Sequence, residues 1–164
     1  MEGVSLWLSQ TSVSAFLREQ LGLLAALQAL HIMAVAMVGS SVLMIDLRLL
    51  GLAERSQTVA EVAHRFVPWL WGGLVVLTLS AIPLIIAEPQ RDLINWTFQL
   101  KMAMIALGVA ITISFVLSLH HTNRTLVERR DNGNALTHTL AIFTLLLFVA
   151  IAVAGRWIGY TWHG

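Results

Sequence analysis

The chain has 164 residues, of which 57% are hydrophobic and 12% charged, with a net charge of +1 and no cysteine. Soluble domains carry roughly twice that charged fraction, so the composition excludes an ordinary water-soluble globule. The near-zero charge and the lack of a basic stripe exclude a nucleic-acid partner. Without cysteine, no disulfide, iron–sulfur cluster or thiolate metal site can be built from this chain.

The length predicts one domain covering residues 1–164. Residues 1–20 carry no basic leader and begin with Glu2, which argues against a signal peptide. Their apolar residues, among them Trp7, Val13 and Phe16, are interleaved with serine and threonine. Two readings stand equal there, a helix lying on the membrane surface and a frayed extension of the first long helix.

Four apolar runs follow, at residues 21–45, 66–87, 101–120 and 139–155. Each approaches the ~20 residues with which an α-helix crosses ~30 Å of hydrocarbon, and none alternates with the period of a strand. The expected fold is an all-α, integral-membrane, up-down-up-down four-helix bundle. Its transmembrane helices are expected at about residues 21–46, 66–88, 98–120 and 137–158. Short polar connections, such as "AERSQTVAEVAHR" and the turn signal "DNGN", make sequential helices antiparallel neighbours. Gly39, Gly72, Gly73 and Gly108 allow close helix contact, and Pro83 is expected to kink the second helix.

Arginine placement sets the orientation. Arg48, Arg55, Arg65, Arg124, Arg129 and Arg130 lie on the side of the first and third connections, and Arg18, Arg91, Lys101 and Arg156 on the side of the termini. The excess predicts a cytoplasmic loop side and periplasmic termini in a bacterial inner membrane. Trp7, Trp96, Trp157, Tyr160 and Trp162 suit an aromatic belt on the termini side, and Trp69 and Trp71 one at the start of the second helix.

The histidines are the candidates for chemistry. His64, His120 with His121, and His138 fall at the loop-side edge of the second, third and fourth helices, and His163 lies beyond the last. His31 stands alone in "ALQALHIMAVAM", ~22 Å along its helix from Asp46. Gln28, His31, Val35, Gly39, Val42 and Asp46 share one helical face, and a polar stripe on a lipid-crossing helix faces the bundle. An ionisable residue inside a membrane is a functional-site hypothesis by default; the plain alternative is a neutral histidine bonded to a neighbouring helix. For the edge histidines the plain alternative is simple solvation.

Haem b held by imidazoles from facing helices suits this inventory. His120 with His138 or His64 would ligate at the loop-side edge, near Arg65 or Arg124. His31 would ligate a deeper haem or serve a proton or quinone step. His31 has no histidine at its own depth, so a bis-histidine site there does not follow from spacing; a five-coordinate haem, or an Asn, Gln or Met ligand, stays open. Asp46 and Arg48 read as an interface anchor pair, or as a salt-bridged brace or proton-uptake point. Arg156 and Lys101 read as snorkelling cations or as partners of a propionate or quinone oxygen. Met33, Met37, Met44, Met102 and Met104 do not make a convincing copper site, since those of the first helix share no face.

The stretches "HIMAVAMVGSSVLMIDLRLLGL", "VPWLWGGLVVLTLSAIPLIIAEP", "FQLKMAMIALG" and "AGRWIGY" resemble an uncharacterised family of four-helix bacterial inner-membrane proteins, over about residues 21–160. The resemblance points to His31, Asp46 with Arg48, Trp69 with Trp71, Lys101 and Arg156, and implies no settled activity. More distantly the chain is similar to cytochrome b561-type haem proteins and to the copper-resistance membrane domain. In the b561 type, ligand histidines pair at matched depths, a pattern from which His31 departs.

The expected function is therefore a haem-b membrane electron-transfer subunit linking a quinone pool or partner oxidoreductase to an acceptor. The metal-ligand candidates are His31, His120, His138 and His64, haem b is the expected cofactor and quinone a second candidate. The alternatives are a cofactor-free structural or assembly subunit and a small proton-coupled transporter. No nucleophile–base–acid set or HExxH motif argues for a stand-alone hydrolase. The expected partners are the bilayer and either other membrane or redox subunits or further copies of the chain.

Overall fold

The computed structural model describes residues 2–53, 56–121 and 135–161. The "DNGN" turn, Arg55, Arg124, Arg129, Arg130, Trp162 and His163 lie outside these residues. So do the side chains of Arg91, His120, His121, Trp157 and Tyr160.

Two short helices come first, α1 (Glu2–Ser9) and α2 (Ser12–Glu19). The long helices are α3 (Leu21–Leu49), α4 (Val59–Ala87), α6 (Trp96–His121) and α7 (Ala135–Thr161), with a five-residue helix α5 (Pro89–Leu93) before α6. Four helices are long and apolar enough to cross a bilayer, so the all-α, four-span architecture agrees with the sequence. Their outward faces carry large apolar residues such as Ile32, Val75, Leu146 and Val153. Hydrocarbon tolerates such a surface, whereas water does not.

The N-terminal segment is not an extension of α3 but a pair of short helices. Thr11 accepts a hydrogen bond from the Ser14 N–H and caps α2, so the chain breaks between α1 and α2. Arg18 holds the break by donating to the carbonyls of Ser14 and Ser9. The chain breaks again at Gln20, which sits between the end of α2 and the start of α3. α2 packs on α4 and α3, and α1 on α5, burying Ser5, Ser14 and Leu17 while Val4, Trp7, Val13 and Phe16 face outward. The segment is thus a two-piece cap on the termini side of the bundle.

The second long helix begins at Val59 rather than near residue 66. Thr58 and Glu61 form a reciprocal capping box, each side chain bonding the other's backbone N–H, at 3.2 and 2.7 Å. Seven residues assigned to the connection are consequently helical, and His64 moves into the second turn of α4. At the other side of this loop, Gly51 adopts φ +69° and ends α3 in a Schellman turn. Its N–H bonds the Arg48 carbonyl, and the Leu52 N–H bonds the Leu47 carbonyl. Arg48 donates from Nε to the Gln57 carbonyl at 2.6 Å, tying the loop back to the helix.

Small residues set the helix contacts. The Phe148 ring of α7 rests directly on Gly39 of α3, and Val38 and Met37 press against Gly73 of α4. Gly72 faces open space and serves no such contact. α3 packs along α4 and along α7, and α7 along α6, whereas α4 and α6 hardly touch among the described residues. Sequential neighbours therefore hold for α3–α4 and α6–α7 but not for α4–α6. The row α4–α3–α7–α6 curls around an interior space instead of closing into a tight square.

Candidate functional site

That space is a half-open cavity of about 860 Å³ lined by all four long helices. Ligand sites commonly enclose ~300–1,000 Å³ with mostly apolar walls and a few placed polar groups, and this cavity has that character. Its polar lining includes Gln28, His31 and Lys101 towards the termini side and Asp46 and Thr144 at the loop side, with the hydroxyls of Thr78, Thr112 and Ser114 also on its walls.

His31 is the best-defined of these groups. Its Nδ1 lies 2.9 Å from the hydroxyl of Ser80 on α4. Ser80 is only 2% exposed, and its hydroxyl donates to the Leu77 carbonyl at 3.1 Å. A hydroxyl has one proton to give. With that proton directed at Leu77, the Ser80 oxygen accepts from an Nδ1–H of His31. The direction of this bond follows the tautomer of the ring; with the proton on Nδ1, the Nε2 lone pair lies on the other edge of the ring, where it can act as a base or ligand.

Lys101 of α6 enters from the far wall. Its side chain lies over Gly155 of α7, and its Nζ is 3.4 Å from where a β-carbon would stand there. Gly155 thus provides the slot in which the lysine stem crosses α7. Lys101 and His31 line the same cavity. Arg156, the adjacent residue, is exposed.

At the opposite end, Asp46 is 5% exposed and its Oδ2 accepts a 2.7 Å hydrogen bond from the Thr144 hydroxyl of α7. Of the readings open for Asp46 and Arg48, the salt-bridged brace does not form: Asp46 turns to α7 while Arg48 holds Gln57. They sit two apart on one helix, where side chains diverge by about 200°.

Two other candidate histidines, His64 and His138, do not converge on His31. Ser80 marks the depth of His31 on α4, and His64 lies sixteen residues, or ~24 Å, further along that helix. Thr144 marks the depth of Asp46 on α7, and His138 lies ~9 Å beyond it, away from His31. His64 is exposed, His138 half-buried, and neither lines the cavity. His120 is in the last turn of α6, and its side chain is outside the described residues. Among the described residues, no group of three or more His, Asp or Glu could hold a metal ion. A shared iron between His31 and His64 or His138 is therefore ruled out by depth.

Ser80 and Thr144 are the site residues that sequence reasoning missed. Each is a lone hydroxyl in an apolar run, the usual place for a hydroxyl bonded to its own helix, and Thr78, Thr112 and Ser114 do only that. Neither curated proteins nor solved structures provide a match to the chain. Residues 6–161 match DUF6644, a family of unknown function, and the chain belongs to that family.

Proposed function

We propose that the chain is a membrane electron-transfer subunit that holds one haem b in the interior cavity through His31. The observation that carries this reading is an imidazole with Nδ1 held by buried Ser80, on the wall of a cofactor-sized cavity. Three features of the residues fit the group. The Nε2 of His31 would be the nitrogen to hold the iron. The walls are apolar, as a macrocycle requires. Lys101 brings a cation to the same cavity, suited to a propionate. When bound, haem would supply one-electron chemistry. The residues of the chain would orient it and keep water away.

This reading uses a single histidine, unlike the paired ligands of cytochrome b561-type proteins. Substrate chemistry would fall to a partner, and the subunit would link a quinone pool or partner oxidoreductase to an acceptor. A bacterial inner membrane with periplasmic termini is the setting that the arginine distribution supports.

The test is the reduced-minus-oxidised visible spectrum of protein purified in detergent after expression with ample haem supply. The expected result is a sharp α-band and close to one haem per chain. His31→Ala should abolish it, and His64→Ala and His138→Ala should leave it in place. A colourless wild-type protein overturns the proposal.

A further inference from the structure

We infer that Ser80 is the positioning residue for His31: it selects the Nδ1–H tautomer and so delivers the Nε2 lone pair to the cavity. The inference deepens the haem reading and rests on it for the ligand, but the tautomer itself is a property of the chain alone.

Three observations converge on Ser80. It is almost fully buried, so no water competes for its hydroxyl. Its own proton is directed at the Leu77 carbonyl, one turn back on α4, which leaves its oxygen as an acceptor towards α3. His31 Nδ1 stands 2.9 Å from that oxygen. The reverse tautomer would require the Ser80 proton to leave the Leu77 carbonyl and turn to Nδ1. Histidines that ligate a metal through one nitrogen are generally fixed through the other by such a partner, and loss of the partner commonly weakens binding 10–100-fold. The helix contact that makes this possible lies two turns away, where Val38 of α3 presses on Gly73 of α4. That close approach brings the two helices near enough for a short serine side chain to reach an imidazole.

The test has two readouts. The first is the nitrogen NMR spectrum of haem-free protein labelled at the histidine ring nitrogens, in detergent, with His31→Ala to assign the signals. The expected result is a protonated, pyrrole-like Nδ1 and an unprotonated, pyridine-like Nε2. Ser80→Ala should collapse this into a tautomer mixture, and Ser80→Thr, which keeps the hydroxyl, should restore it. The second readout is titration with ferric protoporphyrin IX together with the midpoint potential of the loaded protein. Ser80→Ala should weaken binding at least tenfold and shift the potential, and Ser80→Thr should recover both. A wild-type ring protonated at Nε2 overturns the inference, as does a Ser80→Ala protein equal to wild type in both readouts. If wild-type protein shows the expected tautomer yet takes up no porphyrin, the haem reading fails and the tautomer assignment stands. The wild-type spectrum decides the tautomer even if Ser80→Ala does not fold.

Discussion

Asp46 of α3 and Thr144 of α7 meet across the bundle at 2.7 Å, 98 residues apart in the chain. This is a buried carboxyl whose side-chain partner is a hydroxyl rather than a cation. The Thr144 hydroxyl is also within 3.0 Å of the Leu140 and Ala141 carbonyls of its own helix, so one proton is shared among three acceptors.

The pair should therefore contribute modestly to the α3–α7 contact. Hydrogen bonds between membrane helices are worth roughly 0.5–2 kcal/mol. Thr144→Val is expected to destabilise the bundle by about that amount, since it leaves the carboxyl without its donor. Asp46→Asn is expected to lose less, because an amide still bonds the hydroxyl. A double-mutant cycle with Asp46→Leu and Thr144→Val, followed by denaturation in mixed micelles, measures the coupling. A coupling indistinguishable from zero would show that the contact adds nothing to stability.

Gly39 and Gly72 should respond in opposite ways to alanine. At Gly39 a β-carbon would collide with the Phe148 ring, whereas at Gly72 it meets open space. Overpacking of this kind costs roughly 1–3 kcal/mol, while alanine is favoured over glycine in a helix by ~1 kcal/mol in aqueous hosts. Gly39→Ala should lower the thermal midpoint in detergent, and adding Phe148→Leu should recover part of the loss. Gly72→Ala should be neutral or stabilising. The same midpoint for both single variants would contradict the seating of Phe148 on Gly39.

The N-terminus of α4 makes a third prediction. Removal of an N-cap costs ~1 kcal/mol, so Thr58→Ala should fray residues 59–62 and leave the membrane-spanning remainder intact. Hydrogen exchange of those backbone amides should speed up about fivefold, and Thr58→Ser should restore protection. Unchanged exchange would mean that the capping box does not hold the turn.

These sites also show what the sequence could and could not reveal. The four spans were legible because each is a long apolar run whose constraint is local: the backbone must satisfy itself in lipid. The start of α4 was also written locally, as T-x-x-E in "TVAE", but the charge of Glu61 and His64 made that turn read as a connection. The gap between α4 and α6 was not legible, because loop length limits the distance between helix ends and does not compel their faces to pack. In the site, His31 was legible as an isolated imidazole in hydrocarbon, and Lys101 only as a cation near the outer edge of its helix. Their surroundings were not. Ser80 looks like Thr78, and Gly155 like Gly72, until the fold shows which one faces a neighbour. The matched layer of edge histidines was a depth argument alone, and depth does not bring α4 and α7 into contact.

Gly155 carries the last prediction, because it separates the slot of Lys101 from its charge. The lysine stem crosses α7 where glycine leaves room, with Nζ only 3.4 Å from the missing β-carbon. Gly155→Leu should push the ammonium out of the slot without changing any charge, and Lys101→Met should remove the charge without filling the slot. If the cation pairs with a propionate, both variants should weaken binding of ferric protoporphyrin IX by roughly tenfold, equivalent to ~1.4 kcal/mol. Both should keep the spectral signature of His31 ligation, because Ser80 still orients the ring. Gly155→Ala, with a smaller side chain, should fall between wild type and Gly155→Leu. Should Lys101→Met bind porphyrin as tightly as wild type, the cation serves the packing of α6 against α7 and not the cofactor. The loss would then appear in thermal stability instead of affinity.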